Sequence, residues 1–334
     1  MSTIQDLLER ACSARATFFE TDHVSAFRLF NGFLEGFPAL SVDVYARTII
    51  LHNYASAPTD DQSGAAQAWI IEKLPWVECI IVKNRSGQNA SQKRGSLVYG
   101  KNPDQKIFEN GAWYAIDLTM NRDASFYMDT RNLRSWAQAN LAGKTVLNTF
   151  AYTGSLGVAA LAGGAVRVLQ LDRNPAFMNL ARQSYALNGL PVDSRDFLAQ
   201  DFFPAVGQLK RSGQTFDCVF IDSPFFATTA KGTVDLETGS TRLINKVRPL
   251  INDGGRLVAI NNALFVSGRE YLASLETLCK DGYLSLEQLV PIPEDFCGYA
   301  QTRVGGPPVD PAPFNHSTKI AILLVRRKLM PKEP

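Results

Sequence analysis

Four groups of residues between positions 148 and 226 have the types and spacing to hold a nucleoside-bearing ligand. The first is Asn148-Thr-Phe150-Ala-Tyr152-Thr153-Gly154-Ser-Leu-Gly157, where glycine lets the backbone turn sharply and approach a ligand at a helix N-terminus. Its spacing is not the G-x-G-x-x-G of dinucleotide enzymes. Asp172, 18 residues after Gly154, is a carboxylate able to accept two hydrogen bonds from a ribose diol. Asp201, in AQDFF, can accept from an adenine amino group. In Asp222-Ser-Pro224-Phe225-Phe226 the X-Pro unit fixes an extended, rigid backbone whose carbonyls can point at a site. Each group also has a plainer reading: a βα turn for the glycines, a turn residue before Asn174 for Asp172, a helix N-cap before Phe202 for Asp201, a simple turn for Asp222. In succession, turn glycine, acid, acid and Asp-x-Pro follow the order that one nucleoside-bearing cofactor requires.

The elements that must position these residues are short apolar strands. TVLN, VRVLQLD, DFLAQD, FDCVFID and GRLVAIN each end at a polar or acidic residue and are separated by helical stretches. That alternation predicts βαβ units and a parallel sheet covered on both faces. Ligands of such sheets sit beyond the carboxyl ends of the strands, where the four groups fall. Asn174-Pro175 opens one helix and Asn188-Gly189 closes it. YLSLEQLVPIP and STKIAILLVRR read as two further strands, joined by a loop with four prolines between Pro307 and Pro313. Upstream, Ile4, Leu7, Leu8, Ala11, Ala14 and Phe18 have a helical period. Residues 26–54 alternate as two or three strands, 64–74 read as helix and VECIIVK as strand. Asn110-Gly111 marks a hairpin within 106–118. The expected fold is α/β, a Rossmann-like sheet, mostly parallel with an antiparallel last strand, over 119–334. A smaller antiparallel α+β module, residues 1–118, precedes it.

These motifs carry a resemblance to a known family. The segment from Phe126 to about Val266 is similar to class I S-adenosylmethionine-dependent methyltransferases, and within them resembles the large-subunit ribosomal RNA methyltransferases of the cytosine-C5 and guanine-N7 kinds. The match lies in Tyr127-Met-Asp129-Thr-Arg131, Val146 to Gly154, Leu171-Asp172, Leu187-Asn188-Gly189-Leu190, Gln200-Asp201 and Phe216 through Asp222-Ser-Pro224. It extends more weakly to Ala26–Gly32 and the hairpin before Asp117, and includes no counterpart of the small RNA-binding PUA domain that opens many members. The resemblance implies S-adenosylmethionine as cofactor, with Asp172 on the ribose and Asp201 at the adenine end. Asn148 to Gly154, with Phe150, Tyr152 and Thr153, would hold the methionine moiety. Asp222 would lie near the sulfonium, and Asp129 and Arg131 would line the same pocket. Asp222-Ser-Pro-Phe stands where Asp-Pro-Pro is commoner in the family.

The acceptor atom turns on sulfur. Carbon-5 of cytosine is a poor nucleophile, so its methylation first needs a cysteine thiolate added at carbon-6. In the cytosine-C5 relatives that cysteine follows the fifth strand, where this chain has Asn261, Asn262 and Ala263. Cys218 falls inside a buried strand, which leaves Cys297 as the other candidate. Guanine N7 has an in-plane lone pair and no proton, so it needs only orientation. Asn261 and Asn262 suit that task, as do the paired asparagines of the guanine-N7 members they resemble; a strand-end turn explains them equally. The candidate catalytic residues are therefore Asp222, Pro224, Asn261 and Asn262. Phe225 or Phe226 can stack an extruded base or pack under the loop.

Composition sets the remaining bounds. The 334 residues are 46% apolar and 20% charged, average for a globular chain and unlike a disordered or coiled-coil one. Thirty-four Lys and Arg against thirty-two Asp and Glu give +2, so a polyanion must be held by a local patch. Lys83, Arg85, Lys93, Arg94, Lys101 and Lys106, against Asp104, form such a patch for ribosomal RNA, or else a solvated loop. Arg326, Arg327 and Lys328 are a weaker one. The five cysteines match no metal or redox spacing. Asp6, Glu9 and Arg10 interrupt any secretory signal, so a cytoplasmic location without membrane attachment is expected. The rival readings are a small-molecule methyltransferase, a nicotinamide dehydrogenase and a catalytically silent RNA-binding module.

Overall fold

The computed structural model describes residues 3–55, 60–87, 89–229, 232–236 and 239–327; Lys328 of the second basic run lies outside them. The chain divides into two compact units, one of residues 1–130 with 293–307, the other of 131–292 with 308–334.

The first unit is built on helix α1 (Ile4–Ala14), strand β1 (Ala26–Asn31), helix α2 (Gly32–Glu35), strands β2 (Leu40–Tyr45) and β3 (Thr48–Asn53), helix α3 (Asp60–Lys73), strand β4 (Cys79–Asn84), helix α4 (Ala90–Arg94) and strand β5 (Ser96–Tyr99). The strands form one sheet in the order β1-β2-β3-β4-β5. Its pairs are antiparallel except β3–β4, which is parallel and departs from the all-antiparallel expectation. The cause is α3: a helical crossover returns the chain to the starting end of the sheet, so the next strand must run parallel. Alternation turns Leu29, Val42, Val44, Ile49 and Leu51 to one face, where they pack with Leu8 of α1 and Ile70 of α3. The hairpin expected at Asn110-Gly111 joins β6 (Lys106–Glu109) to β7 (Ala112–Ala115), with φ of 50° and 79° at the two turn residues.

The second unit runs through α5 (Arg131–Asn140), β8 (Thr145–Thr149), α6 (Ser155–Ala162), β9 (Arg167–Asp172), α7 (Pro175–Leu187), β10 (Phe197–Ala199), α8 (Phe202–Arg211) and β11 (Phe216–Ile221). The hairpin β12 (Phe226–Thr229) and β13 (Gly232–Asp235), then α9 (Ser240–Val247), β14 (Ile251–Asn261), α10 (Gly268–Cys279) and β15 (Leu284–Val290) follow. Helix α11 (Glu294–Cys297) belongs to the first unit, and β16 (Lys319–Val325) completes the second. Seven strands form one sheet in the order β10-β9-β8-β11-β14-β16-β15. β16, the last strand of the chain, is antiparallel to both neighbours, and the other pairs are parallel. Leu147, Leu171, Val219, Ile221, Leu257 and Leu323 lie in a continuous apolar core. This is an α/β fold with the doubly wound sheet read from the sequence.

The return of residues 293–307 to the first unit is held by buried charge. Arg15 and Glu35 pair through two bonds of 3.0 Å, and Thr302 donates its hydroxyl to the same carboxylate. Asp295, also buried, accepts from the backbone N–H of Arg28 at 2.9 Å.

Candidate functional site

The strand order places the predicted residues side by side. β8 starts the sheet, β9 lies on one side of it and β11 on the other, so the winding reverses beside β8. That reversal opens a crevice at the carboxyl edge. Along this edge stand, in spatial order, Asp201 beyond β10, Asp172 ending β9, Asn148 to Gly154 at the end of β8, Asp222 to Pro224 beyond β11, and Asn261–Asn262 at the end of β14.

The turn after β8 is the most constrained segment. Phe150 and Tyr152 have φ of 53° and 51°, and Gly154 has 79°. A left-handed conformation in a non-glycine residue costs on the order of 1–3 kcal/mol, and such strain persists where surrounding contacts enforce it. Here the enforcement comes from β9. Leu171 O accepts from Ala151 N–H at 2.9 Å, and Asp172 Oδ2 from Tyr152 N–H at 2.9 Å. Phe150 stacks on Phe202 with centroids 4.6 Å apart, and Tyr152 meets Phe177 edge-on at 4.6 Å. Gly154 must be glycine, because a Cβ there would lie 2.8 Å from Ala181 Cβ in addition to its left-handed φ.

Asp172 also accepts from Asn174 N–H through Oδ1 at 2.9 Å. Burial raises its pKa, against the opposing pull of the N–H groups of Asn174, Tyr152 and Arg173. Asp201 Oδ1 accepts from Phe203 N–H at 3.0 Å and caps α8. The plain and the functional readings are thus compatible: each acid fixes its own turn and remains half-buried at the rim. Helices α7, α8 and α10 are capped by Asn174, Asp201 and Ser267, whereas α6 has Gly154 at its N-cap and no side-chain cap. Its first amides are therefore left for a ligand.

Two side chains that sequence reading undervalued complete the edge. Gln170 accepts from Asn148 Nδ2 at 2.8 Å and donates to Gly154 O at 3.1 Å, locking strand to turn. A glutamine in the apolar run of β9 was the available signal. Ser223, inside the Asp222-Ser-Pro224 segment, is fully buried, and its Oγ and Asn148 Oδ1 have no hydrogen-bond partner among the described residues. Orphaned buried polar atoms at adjacent strand ends are what a polar ligand would satisfy. An uncapped helix, two half-buried carboxylates and these orphaned polar atoms form a donor and acceptor set that fits S-adenosylmethionine.

The two asparagines part company. Asn261 is buried, its Nδ2 donating to Leu236 O at 3.2 Å and its Oδ1 accepting from Ala263 N–H at 2.9 Å. Its amide is committed to the turn and is not available to a base, whereas Asn262 is exposed. Leu236 N–H in turn donates to Phe225 O at 3.0 Å, so Asn261 pins the β12–β13 hairpin to β14. Buried Lys319, opposite Asn261 on β16, donates to Ala263 O at 2.9 Å and braces the same turn. Phe225, Phe226, Leu264 and Phe265 stand exposed beside these anchors, and Pro224 is exposed with them. Arg131 opens α5 in this unit, whereas Asp129 lies in a 3-10 turn, Met128–Thr130, of the first.

The basic patch needs correction. Lys83 is fully buried and donates through Nζ to Asn121 O at 2.8 Å and Asp123 O at 3.3 Å, so it cannot reach a phosphate. Burial depresses its pKa to about 8. Arg85 is largely covered and paired with Asp123 at 3.3 Å. Arg94 is exposed and Lys93 partly so. Among the described residues no cluster of His, Cys, Asp and Glu suits a metal ion, and no helix is long and apolar enough to cross a membrane.

Comparison with known proteins extends these observations. A family model of S-adenosylmethionine-dependent methyltransferases matches residues 62–296. Ribosomal RNA large subunit methyltransferase I of Photobacterium profundum is 29% identical over 273 residues, covering 77% of this chain and 67% of that protein. Ribosomal RNA large subunit methyltransferase K/L of Colwellia psychrerythraea is 27% identical over 255 residues, covering 73% of this chain and 35% of that one. The chain thus spans from about a third to two thirds of these relatives. The crystal structure of SMU.776 complexed with SAH superposes with a TM-score of 0.83 at 22% identity, over 96% of this chain and 80% of that chain, a likeness of fold.

Proposed function

The chain belongs to the S-adenosylmethionine-dependent methyltransferase family, and from that premise we propose that it methylates a base of large-subunit ribosomal RNA in the cytoplasm, at guanine N7 in preference to cytosine C5. When bound, the cofactor supplies an electrophilic methyl group on a sulfonium. The residues would divide the remaining work. Asp172 would accept from the ribose hydroxyls and Asp201 from the adenine amino group. The amides at the start of α6 would meet the methionine carboxylate, and Asp222 would balance the sulfonium charge. Pro224 and the exposed Phe225, Phe226 and Phe265 would seat the base, with Asn262 offering a hydrogen bond to its edge.

The observation that carries the choice of atom is the state of the thiols. Cys218 is fully buried in β11, and burial raises its pKa far above the ordinary thiol range. Burial pushes Cys297 up to about 12. Neither is poised as a thiolate, which C5 chemistry demands and N7 chemistry does not. The ribosomal substrate is supported by the names of the relatives. A small-molecule acceptor is the second reading, favoured by the internal use of Lys83 and Arg85.

The test is methyl transfer from labelled cofactor to undermethylated ribosomal RNA, followed by nucleoside mass spectrometry. The expected product is 7-methylguanosine, with turnover retained in Cys218→Ser and Cys297→Ser. Formation of 5-methylcytidine, with turnover lost in a folded Cys297→Ser, would overturn the choice of atom. Absence of transfer to any ribosomal RNA would overturn the substrate.

A further inference from the structure

The sheet face of the first unit opposite its apolar core is polar at one end. β1, β3 and β4 all finish there, because β1 and β3 are both antiparallel to β2 and β4 is parallel to β3. Ser41 on β2 stands opposite His52 on β3, and Asp43 follows Ser41 on the same face. Arg28 grips Asp43 through bonds of 2.8 and 3.0 Å, and His52 Nε2 lies 3.0 Å from Asp43 Oδ2. Arg85 follows β4, with its backbone N–H on Asn53 O at 2.7 Å.

The hydrogen positions follow from these contacts. An ionised Asp43 can only accept, so His52 Nε2 carries the hydrogen. Burial disfavours the imidazolium, which leaves Nδ1 as a bare acceptor. Three buried polar atoms, His52 Nδ1, Ser41 Oγ and Arg85 Nε, have no hydrogen-bond partner among the described residues. An unmet buried donor or acceptor loses its hydration without compensation, so three together at one end of a sheet call for an occupant. They comprise an acceptor, a donor and a hydroxyl that serves as either.

Planar groups flank them. The Arg85 guanidinium lies 5.7 Å over the Tyr54 ring and that of Arg28 4.2 Å over Phe296. Phe33, 49% exposed, meets Tyr54 edge-on at 4.7 Å. Arg122, exposed, is tied to Arg85 O at 3.0 Å and supplies a cation beside the rings.

We propose that this end of the N-terminal sheet is a nucleobase-reading site: one unpaired base of the RNA substrate inserts beside Tyr54 and Phe33 and presents its edge to His52 Nδ1, Ser41 Oγ and Arg85 Nε. The inference rests on the RNA reading above and gives the first unit a role in choosing sequence. A base edge carries a donor next to an acceptor, which matches an imidazole lone pair beside a guanidinium N–H. The rings shift to admit it, since the three atoms are now closed to solvent, and Arg122 meets the adjoining phosphate.

The experiment titrates the full chain, labelled with 15N at its histidines, with the 5′-monophosphates of adenosine, cytidine, guanosine and uridine and with single-stranded RNA hexamers of each base. The His52 Nδ1 resonance is expected to shift with one base in preference to the others. Ser41→Ala, and Arg85→Lys, which keeps the charge and removes the Nε–H, should each weaken that ligand at least tenfold with melting temperature little changed. If no nucleotide or hexamer moves the His52 resonance while ribosomal RNA is still methylated, the base site is refuted and internal water satisfies the three atoms. Equal shifts with all four bases, unaffected by Ser41→Ala, refute it too. A base-selective shift without methylation of ribosomal RNA upholds the site and removes the ribosomal reading.

Discussion

At the scale of single residues, Asp172 does two jobs that are hard to separate from sequence. Its carboxylate ties Tyr152 N–H and Asn174 N–H into the rim, at 2.9 Å each, and in the function proposed above it would also accept from a ribose diol. Asp172→Ala should therefore weaken cofactor binding by about 1–3 kcal/mol, roughly five- to 150-fold, read by calorimetry with S-adenosylhomocysteine. Unchanged affinity in the variant would remove Asp172 from the site. The acids were legible because a carboxylate ending an apolar strand is conspicuous. Ser223 was not, since a serine before proline has no unusual type or spacing, and Gln170 offered only a lone polar residue in an apolar strand; their burial and bonds single them out. Lys83 misled for the converse reason: a lysine ending the strand VECIIVK, ahead of a stretch rich in Gly, Ser and Asn, reads as exposed, and its 2.8 Å bond to Asn121 O is made across 38 residues.

Elements add what residues lack, which is a frame. The β12–β13 hairpin and the turn after β14 carry the exposed rings, and one amide joins them, through Leu236 O on one side and Ala263 N–H on the other. Asn261→Ala leaves both backbone groups unmet and should cost about 1–3 kcal/mol in denaturant unfolding. It should also raise KM for the RNA substrate several-fold while cofactor affinity, which the proposed function assigns to the β8 and β9 ends, stays within twofold. A rise in cofactor Kd equal to the rise in KM would show that Asn261 supports the whole edge and not the hairpin alone. Long strands and capped helices were readable from period and punctuation. β5, β12 and β13 were not, because four residues are too few to establish alternation without a turn signal such as the Asn110-Gly111 between β6 and β7. The parallel β3–β4 pair follows from a helix that the sequence did announce, so that topology was recoverable from connectivity.

For the molecule as a whole, the chain leaves its first unit at residue 130 and re-enters it from 293 to 307, so the two units are interleaved in sequence. Periodicity cannot reveal this, because the contacts that recruit the segment, such as Arg28 N–H to Asp295, span 267 residues. The first unit is also where acid should act. Burial alone would raise the Asp43 pKa, but Arg28 and the hydrogen bonds from His52 and Arg28 outweigh it and hold the carboxyl well below its usual range. Burial lowers His52 as well, against the pull of Asp43. Both folded pKa values lie below the unfolded ones, so the unfolded chain binds more protons. Their contribution to stability is complete above about pH 6.5 and declines as pH falls, first through His52 and then, below about pH 4, through Asp43. Melting followed between pH 7.5 and 3.5 should show this decline, and His52→Gln should flatten its upper limb, between pH 6.5 and 5, while leaving the steeper acid limb. A variant with an unchanged upper limb would mean that His52 keeps its solution pKa in the fold. Arg28→Met tests the lower limb: leaving Asp43 buried without its partner should cost about 3–5 kcal/mol at neutral pH, and should move protonation of Asp43 upward, so that the acid limb begins nearer neutrality.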